Sequence, residues 1–369
     1  MATTRVGVCF GGPSPEHDIS ILTGLQALRA LAESGGSPVA IYWSKEGSFY
    51  RVEPSLEAEA YAGGVPAGAR PLELVVGRDG GFVEPRGGLR PKRELLELDV
   101  VVNCCHGGPG EDGALQGALD LAGVRYTGPS ARTAALGMDK LAFASLLRHH
   151  GIACLPREDG RRVTFDGPYI AKPRFGGSSI GIEVLEDRAQ LEARMQRSEH
   201  FRDGMVVEPY RPDLMDVQVA LRRFPTPTLS AIERPLRSAP GEPILTYREK
   251  YQPIGGMATA PRELPAAIAP ELAETIRSLA LSVGELLDSR GVMRVDFLAS
   301  TEGECYVNEV NTIPGSLSHY LFVEPKIPFA AQLEADIREA LERATYRPNV
   351  AGADGSVLRS AGSIAAKLA

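Results

Sequence analysis

Hydrophobic and polar positions divide the chain into blocks of recognisable period. Val6-Gly7-Val8-Cys9-Phe10 is an apolar run of strand length, and Gly11-Gly12-Pro13-Ser14-Pro15 ends it as a loop. From Ser20 to about Ala32 the residues Ile21, Leu22, Leu25, Leu28 and Leu31 recur at helical spacing. Strand, glycine loop and helix in that order predict the opening of a doubly wound α/β domain. Val39-Ala40-Ile41-Tyr42-Trp43 is a second strand, and Leu98 to Cys105 is another buried one ending at His106. A Gly-rich loop and a helix from Gly113 to about Leu121 follow. Residues 45–95 are rich in Gly, Pro and charge, with short apolar runs, and predict a surface excursion of short strands.

The later half has a different rhythm. Thr133 to His150 reads as a helix. Pro168 to Pro173 is a strand, Gly176-Gly177-Ser178-Ser179-Ile180-Gly181 a turn, and Ile182-Glu183-Val184 a resumed strand. This is a flap-like hairpin, not a strand–loop–helix phosphate loop. Met205 to Pro209 closes that unit. Gly291 to Phe297 and Tyr306 to Thr312 predict a late hairpin turning at Glu302-Gly303. That register sets Asp296 opposite Glu309 and Arg294 opposite Asn311, all four on one face because strand side chains alternate. A last helix spans about Phe329 to Arg343. Asp18 or Ser20 is expected to cap the first helix.

The expected division is an N-terminal α/β domain at 1–129, a central unit at 130–209 and a C-terminal unit at 210–345. A tail follows at 346–369.

Composition narrows the class. The 369 residues are 43% hydrophobic and 24% charged, with net charge −7, which fits a soluble globular protein of two or three domains. No basic stripe supports nucleic-acid binding, and no apolar run is long enough to span a bilayer. The first residues lack a secretory signal, so a cytoplasmic protein is expected. Cys9, Cys104, Cys105, Cys154 and Cys305 show neither a CxxC nor a zinc spacing, and read as buried free thiols.

The late hairpin carries the sharpest chemistry. Two carboxylates, an amide oxygen and a guanidinium on one face make a hard-cation site beside an anion clamp, suited to Mg²⁺ with nucleotide phosphates. A solvated polar face is the bland alternative. Lys172 before the Gly/Ser turn, with Lys140 and Lys250, can neutralise phosphate, while the turn's amides and hydroxyls cradle it. A surface hairpin with a salt-bridging lysine is the alternative there. Glu208 and Asp216 can accept from an adenine amine and ribose hydroxyls, or be solvated loop acids. Glu16 can bind a substrate ammonium, and His106 can touch substrate or be structural. No G-x-G-x-x-G or Walker sequence follows the first strand, which argues against hydride transfer and P-loop chemistry.

In combination these segments resemble the D-alanine–D-alanine ligase family of ATP-grasp enzymes, from about Arg5 to Glu342. The landmarks run Gly11 to Ser20, His106 to Gly117, Tyr126-Thr127-Gly128, Met138-Asp139-Lys140 and Ala171-Lys172-Pro173 with Ser178-Ser179. Lys250-Tyr251 and the late hairpin complete them. The resemblance implies a three-domain ATP-grasp fold, α+β in its ATP-binding part. It implies ATP held by Lys140, Lys172, Ser178, Ser179, Glu208 and Asp216. Two Mg²⁺ ions, or Mn²⁺ in their place, would sit on Asp296, Glu309 and Asn311. Glu16, Ser178 and Tyr251 would orient a donor amino acid, Arg294 would stabilise the oxyanion, and His106, Lys250, Gly315 and Tyr320 would bind substrate. A homodimer acting on small amino acids for peptidoglycan precursors is implied.

The family usually has Ser where this chain has Tyr320, so the acceptor pocket should be reshaped. The step from Glu208 to Asp216 is one residue longer than usual, and Pro209 and Pro212 remove two backbone donors. Pro325-Lys326-Ile327-Pro328 replaces an aromatic-rich segment. A specialised ligase of secondary metabolism with another acceptor is therefore the rival reading. A depsipeptide-forming ligase would have a histidine near Tyr251, and a degenerate ATP-binding protein would have lost metal ligands or phosphate lysines.

Overall fold

β1 (Val6–Gly11) lies at the centre of the first packed layer in the computed structural model, which describes residues 4–86, 92–236, 261–346 and 348–361. It pairs in parallel with β2 (Val39–Trp43). Between β2 and the next parallel strand come β3 (Phe49–Val52), β4 (Arg70–Val75), β5 (Gly81–Arg86) and β6 (Lys92–Leu95). β7 (Val100–Asn103) then pairs with the other side of β1. The sheet order is β6-β5-β4-β3-β2-β1-β7. The 45–95 excursion therefore extends the sheet as antiparallel strands, because short turns join them where a parallel strand would need a crossover.

Alternation along β1 feeds two cores. Val8 and Phe10 pack with α1 (His17–Glu33), while Cys9 joins Ile41 and Val101 on the other face under α2 (Ala114–Leu121). α1 begins before the expected start, and neither Asp18 nor Ser20 caps it: its N-cap is Glu16, with no side-chain cap bond. Ser20 is fully buried, accepts from the Gly11 amide at 2.7 Å and donates to the Cys104 carbonyl at 2.8 Å. It ties the helix to both parallel strands instead. Asp18 is exposed and lies 3.3 Å from Lys45.

The helix expected over 133–150 is two helices, α3 (Ala131–Met138) and α4 (Lys140–His149). Asp139 breaks them apart. Its backbone is extended, and its carboxylate accepts from the Leu141 and Ala142 amides as the N-cap of α4. Apolar periodicity runs through this joint, so the pattern alone could not show it.

Two further antiparallel sheets follow. The central one has order β10-β9-β11-β8, built from β8 (Glu158–Asp159), β9 (Tyr169–Pro173), β10 (Glu183–Leu185) and β11 (Met205–Pro209). α5 (Arg188–Arg197) contributes Leu191 to its core. The next has order β13-β12-β16-β17. Its strands are β12 (Met215–Arg222), β13 (Thr228–Leu229), β16 (Val292–Ala299) and β17 (Cys305–Asn311); a small pair, β14 (Arg234–Pro235) and β15 (Arg262–Glu263), lies beside it. α6 (Pro270–Leu286) and α4 bury its apolar face through Ile276, Val283, Phe143 and Leu147, leaving the other face polar. α7 (Phe329–Glu342) returns to the first layer, where Leu333 and Ile337 enter the core with Val8 and Leu28. Among the described residues no helix is long and apolar enough to cross a membrane.

Candidate active site

The late hairpin has the expected pairing, Asp296 with Glu309 and Arg294 with Asn311, by a different route. The loop is wider than a two-residue turn: Ala299 pairs with Cys305 and Phe297 with Val307. A bulge at Asn308 then restores the register. As a result two successive residues, Asn308 and Glu309, both lie off the buried face, while Val307 and Val310 are buried.

The bulge delivers Asn308 to a buried ion cluster. The Lys172 ammonium, on β9, donates to both Glu208 oxygens at 3.0 and 2.9 Å and to Asn308 Oδ1 at 3.2 Å. Arg157 donates to Glu208 Oε1 at 2.7 Å, to Asn308 Oδ1 at 2.9 Å and to the Asn308 carbonyl. Glu208 is only 1% exposed. Burial alone would raise its carboxyl; the Arg157 and Lys172 cations outweigh that and hold it below the usual range. Thus the residues expected on phosphate and adenine are bonded to each other.

Next to this cluster, one cleft gathers Glu16, Glu111, Lys140, Gly177, Glu309 and Asn311. Lys140 opens α4, is buried, and donates to the Gly176 carbonyl at 2.5 Å. Burial lowers its ammonium, and Glu309 opposes that. Gly107 has φ +62° and ψ 172°, a backbone region essentially restricted to glycine, and it faces the Glu16 carboxylate. Ser178 and Ser179 hold left-handed φ of 57° and 58°, a strained backbone in the flap costing about 1–3 kcal/mol each. Ser178 is buried. Arg174, just after β9, clasps Asp139 at 2.9 and 2.6 Å and fixes the flap's base to the start of α4.

On the hairpin face Arg294 makes a two-pronged ion pair with Asp296 at 2.6 and 2.8 Å, and the Asn311 amide nitrogen donates to Asp296 at 3.1 Å. That bond leaves the Asn311 Oδ1 to act as an oxygen donor elsewhere. Asp216 and Gln218, on β12, lie on the same polar side, in register with Leu298 and Asp296. Among the described residues no group of three or more His, Cys, Asp and Glu side chains could hold a metal by itself. Mg²⁺ is commonly held by one or two carboxylates completed by phosphate and water, and two carboxylates with an amide oxygen fit that donor set.

His106 spends both ring nitrogens on protein groups. Nδ1 lies 2.7 Å from the Ile313 carbonyl, and Nε2 2.7 Å from Thr23 Oγ1. Thr23 also accepts from the Ser316 amide at 3.0 Å. Burial lowers the imidazole to about 4, so it is neutral at pH 7, with Nδ1–H donating and Nε2 accepting. His106 thereby pins α1 to the loop after β17. That loop includes Gly315 and then Ser316, Leu317 and Ser318, all with φ of 45–50°. Tyr320 follows, partly buried against Ala220 and Leu321, and burial pushes its hydroxyl up to about 12. Lys250 and Tyr251 lie outside the described residues.

Sequence reasoning missed Arg157, Asn308 and Glu111. Arg157 follows Leu155-Pro156 in a segment without period and left no signal. Asn308 did leave one: two polar residues between Val307 and Val310 break the alternation, as a bulge requires. Glu111, 7% exposed, accepts from the Gly107 and Ile313 amides at 3.0 and 2.9 Å and joins the two loops.

Comparison with known proteins points one way. Residues 5–129 match the family model described as D-ala D-ala ligase N-terminus, and residues 134–328 match D-ala D-ala ligase C-terminus. A D-alanine–D-alanine ligase of Nitratiruptor sp. is 30% identical over 324 residues, covering 86% of this chain and 90% of that protein. Among solved structures, the D-alanine-D-alanine ligase from Coxiella burnetii superposes with a TM-score of 0.75 at 21% identity, covering 93% of this chain and 95% of that one. The VanG D-Ala:D-Ser ligase from Enterococcus faecalis gives 0.75 at 24% identity, covering 92% and 99%.

Proposed function

The chain belongs to the D-alanine–D-alanine ligase family, and on that premise we propose that it joins two D-alanines at the expense of ATP, supplying peptidoglycan precursors. The fold is the ATP-grasp fold, and the protein is an ATP-dependent ligase acting on small molecules. The observation that carries the reading is the single cleft that brings Glu16, Lys140, Glu309 and Asn311 together.

The chemistry follows from charge. Lys140 and Lys172 neutralise ATP phosphates, the Ser178-Ser179 flap covers them, and Glu208 and Asp216 hold adenine and ribose. Lys172 and Glu208 exchange part of their mutual pairing for the nucleotide, while Arg157 keeps Glu208 ionised. Glu16, with Ser178 and Tyr251, holds the donor's ammonium so that its carboxylate faces the γ-phosphorus. The carboxylate oxygen attacks, ADP leaves, and an acyl phosphate results. The acceptor amine then adds to the carbonyl carbon, Arg294 stabilises the oxyanion, and phosphate departs with that carboxylate oxygen. Mg²⁺, when bound, neutralises phosphoryl oxygens, and Asp296, Glu309 and Asn311 would hold two such ions.

The working units are proposed at 1–129, 130–209 and 210–345, with a tail at 346–369. The resemblance supports a homodimer, which sedimentation tests. Free thiols at Cys9, Cys104, Cys105, Cys154 and Cys305 support a reducing, cytoplasmic setting.

Purified protein with ATP, Mg²⁺ and D-alanine should release phosphate and D-alanyl-D-alanine in equal amounts, read by mass spectrometry. Phosphate release without dipeptide would favour the rival, a ligase with another acceptor, which the bulk of Tyr320 motivates. D-Alanine-dependent phosphate release that is absent altogether overturns the ligase reading.

A further inference from the structure

Across the polar sheet face, the end opposite Lys172 is closed by groups that the reaction scheme leaves without a role. Glu233 faces Gln218 in an isolated bridge, their side chains are hydrogen-bonded, and Gln218 is the register neighbour of Asp296. Glu233 is 3% exposed. From β15, Arg262 pairs with Glu233 Oε1 at 3.2 Å, and its guanidinium lies 5.3 Å from the centre of the Tyr320 ring. The Tyr320 ring thus lies against Arg262, whose partner Glu233 is linked through Gln218 to Asp296. The row from β17 to the bridge residue before β14 thus reads Glu309, Asp296, Gln218, Glu233, with Arg294 and Arg262 as its cations.

This arrangement is directional. Arg294 is taken up by Asp296 through two bonds. Arg262 is held from the side by a buried carboxylate and from its face by an aromatic ring, which fixes the plane of the guanidinium. Its side chain keeps 24% exposure, against 4% for Glu233. A guanidinium held this way recognises a carboxylate through its planar fork.

We propose that Arg262 binds the carboxylate of the acceptor amino acid, and that Glu233 and Tyr320 position it. This inference rests on the ligase reading and names its acceptor class: an amine that bears a carboxylate. Arg262 is a binding residue; Glu233 and the Tyr320 ring act through it.

The test is a competition in which D-alanine is the donor and D-alanine and D-alaninamide compete as acceptors. The amide lacks the carboxylate and cannot serve as donor. The ratio of D-alanyl-D-alanine to D-alanyl-D-alaninamide, read by mass spectrometry, is the ratio of acceptor kcat/KM values. Wild type should favour D-alanine, and Arg262→Ala should reduce that preference about 10- to 100-fold, the worth of a charge-assisted contact. Arg262→Lys should retain part of it, and Glu233→Gln should lower it. Should Arg262→Ala fail to fold, the Lys and Gln variants decide. An unchanged ratio in the folded variants, or a wild type indifferent to the carboxylate, overturns the proposal. Where wild type releases phosphate but couples D-alanine poorly, the same contrast runs with other amino acids and their amides: a preference that Arg262→Ala removes supports the proposal, and an unchanged ratio overturns it. Absence of D-alanine-dependent phosphate release is a different failure: it removes the ligase reading itself.

Discussion

Lys172 donates to both carboxylate oxygens of Glu208, at 3.0 and 2.9 Å, while Arg157 holds one of the same oxygens at 2.7 Å. Three buried charges therefore meet with two positive and one negative. A cluster with one positive charge in excess suits a site that gains an anion.

Glu208→Ala strands Arg157 and Lys172 as uncompensated buried cations and should cost about 3–5 kcal/mol of stability by urea unfolding. Lys172→Met leaves Glu208 paired with Arg157 and should cost less. Because the folded Glu208 titrates below its ordinary value, its contribution is complete above that value and is lost as pH falls through the lower, folded one. Equal losses from the two variants would contradict the cluster's charge balance.

His106 makes a second, separable pH signature. Its folded value of about 4 lies below the ordinary 6.5, so the unfolded chain binds the extra proton first as pH falls. Stability from this group is full above 6.5 and drains between 6.5 and 4, by about 3 kcal/mol in all. His106→Gln should flatten that part of the wild-type stability curve. A curve of unchanged slope would show that the imidazole is not held neutral by burial.

Asp336 on α7 carries the opposite sign. Burial, reinforced by Glu339, raises its carboxyl to about 8, and one oxygen is buried without a hydrogen-bond partner. Its contribution is full below the ordinary carboxylate range and is lost as pH rises through about 8. Asp336→Asn should therefore raise the melting temperature relative to wild type, by more at pH 8 than at pH 5. An advantage that shrinks with pH would refute this.

Glu309 tests the metal assignment. Glu309→Gln should lower turnover at a fixed low Mg²⁺ concentration by more than about 100-fold, with far-ultraviolet circular dichroism unchanged. Near-normal turnover at that concentration would remove Glu309 from the metal set.

How much of this was legible in the sequence depended on whether a period or a break carried the information. β1, α1 and the late hairpin follow periods of two and 3.6, and their apolar faces name their partners. A two-residue turn at Glu302-Gly303 is one residue too tight, and the Asn308 bulge cancels the difference, so Asp296 still faces Glu309. Asp139 was hidden because the apolar stripe continues across the joint between α3 and α4. Arg157 and Arg262 act through distant partners, at 51 and 29 residues' separation, and local pattern has no access to those.

In the proposed reaction an oxygen of the donor carboxylate becomes bonded to phosphorus. D-Alanine labelled with ¹⁸O in its carboxylate, incubated with ATP, Mg²⁺ and the protein, tests this directly. One ¹⁸O should appear in the released phosphate for each dipeptide formed. Dipeptide accompanied by unlabelled phosphate would contradict it.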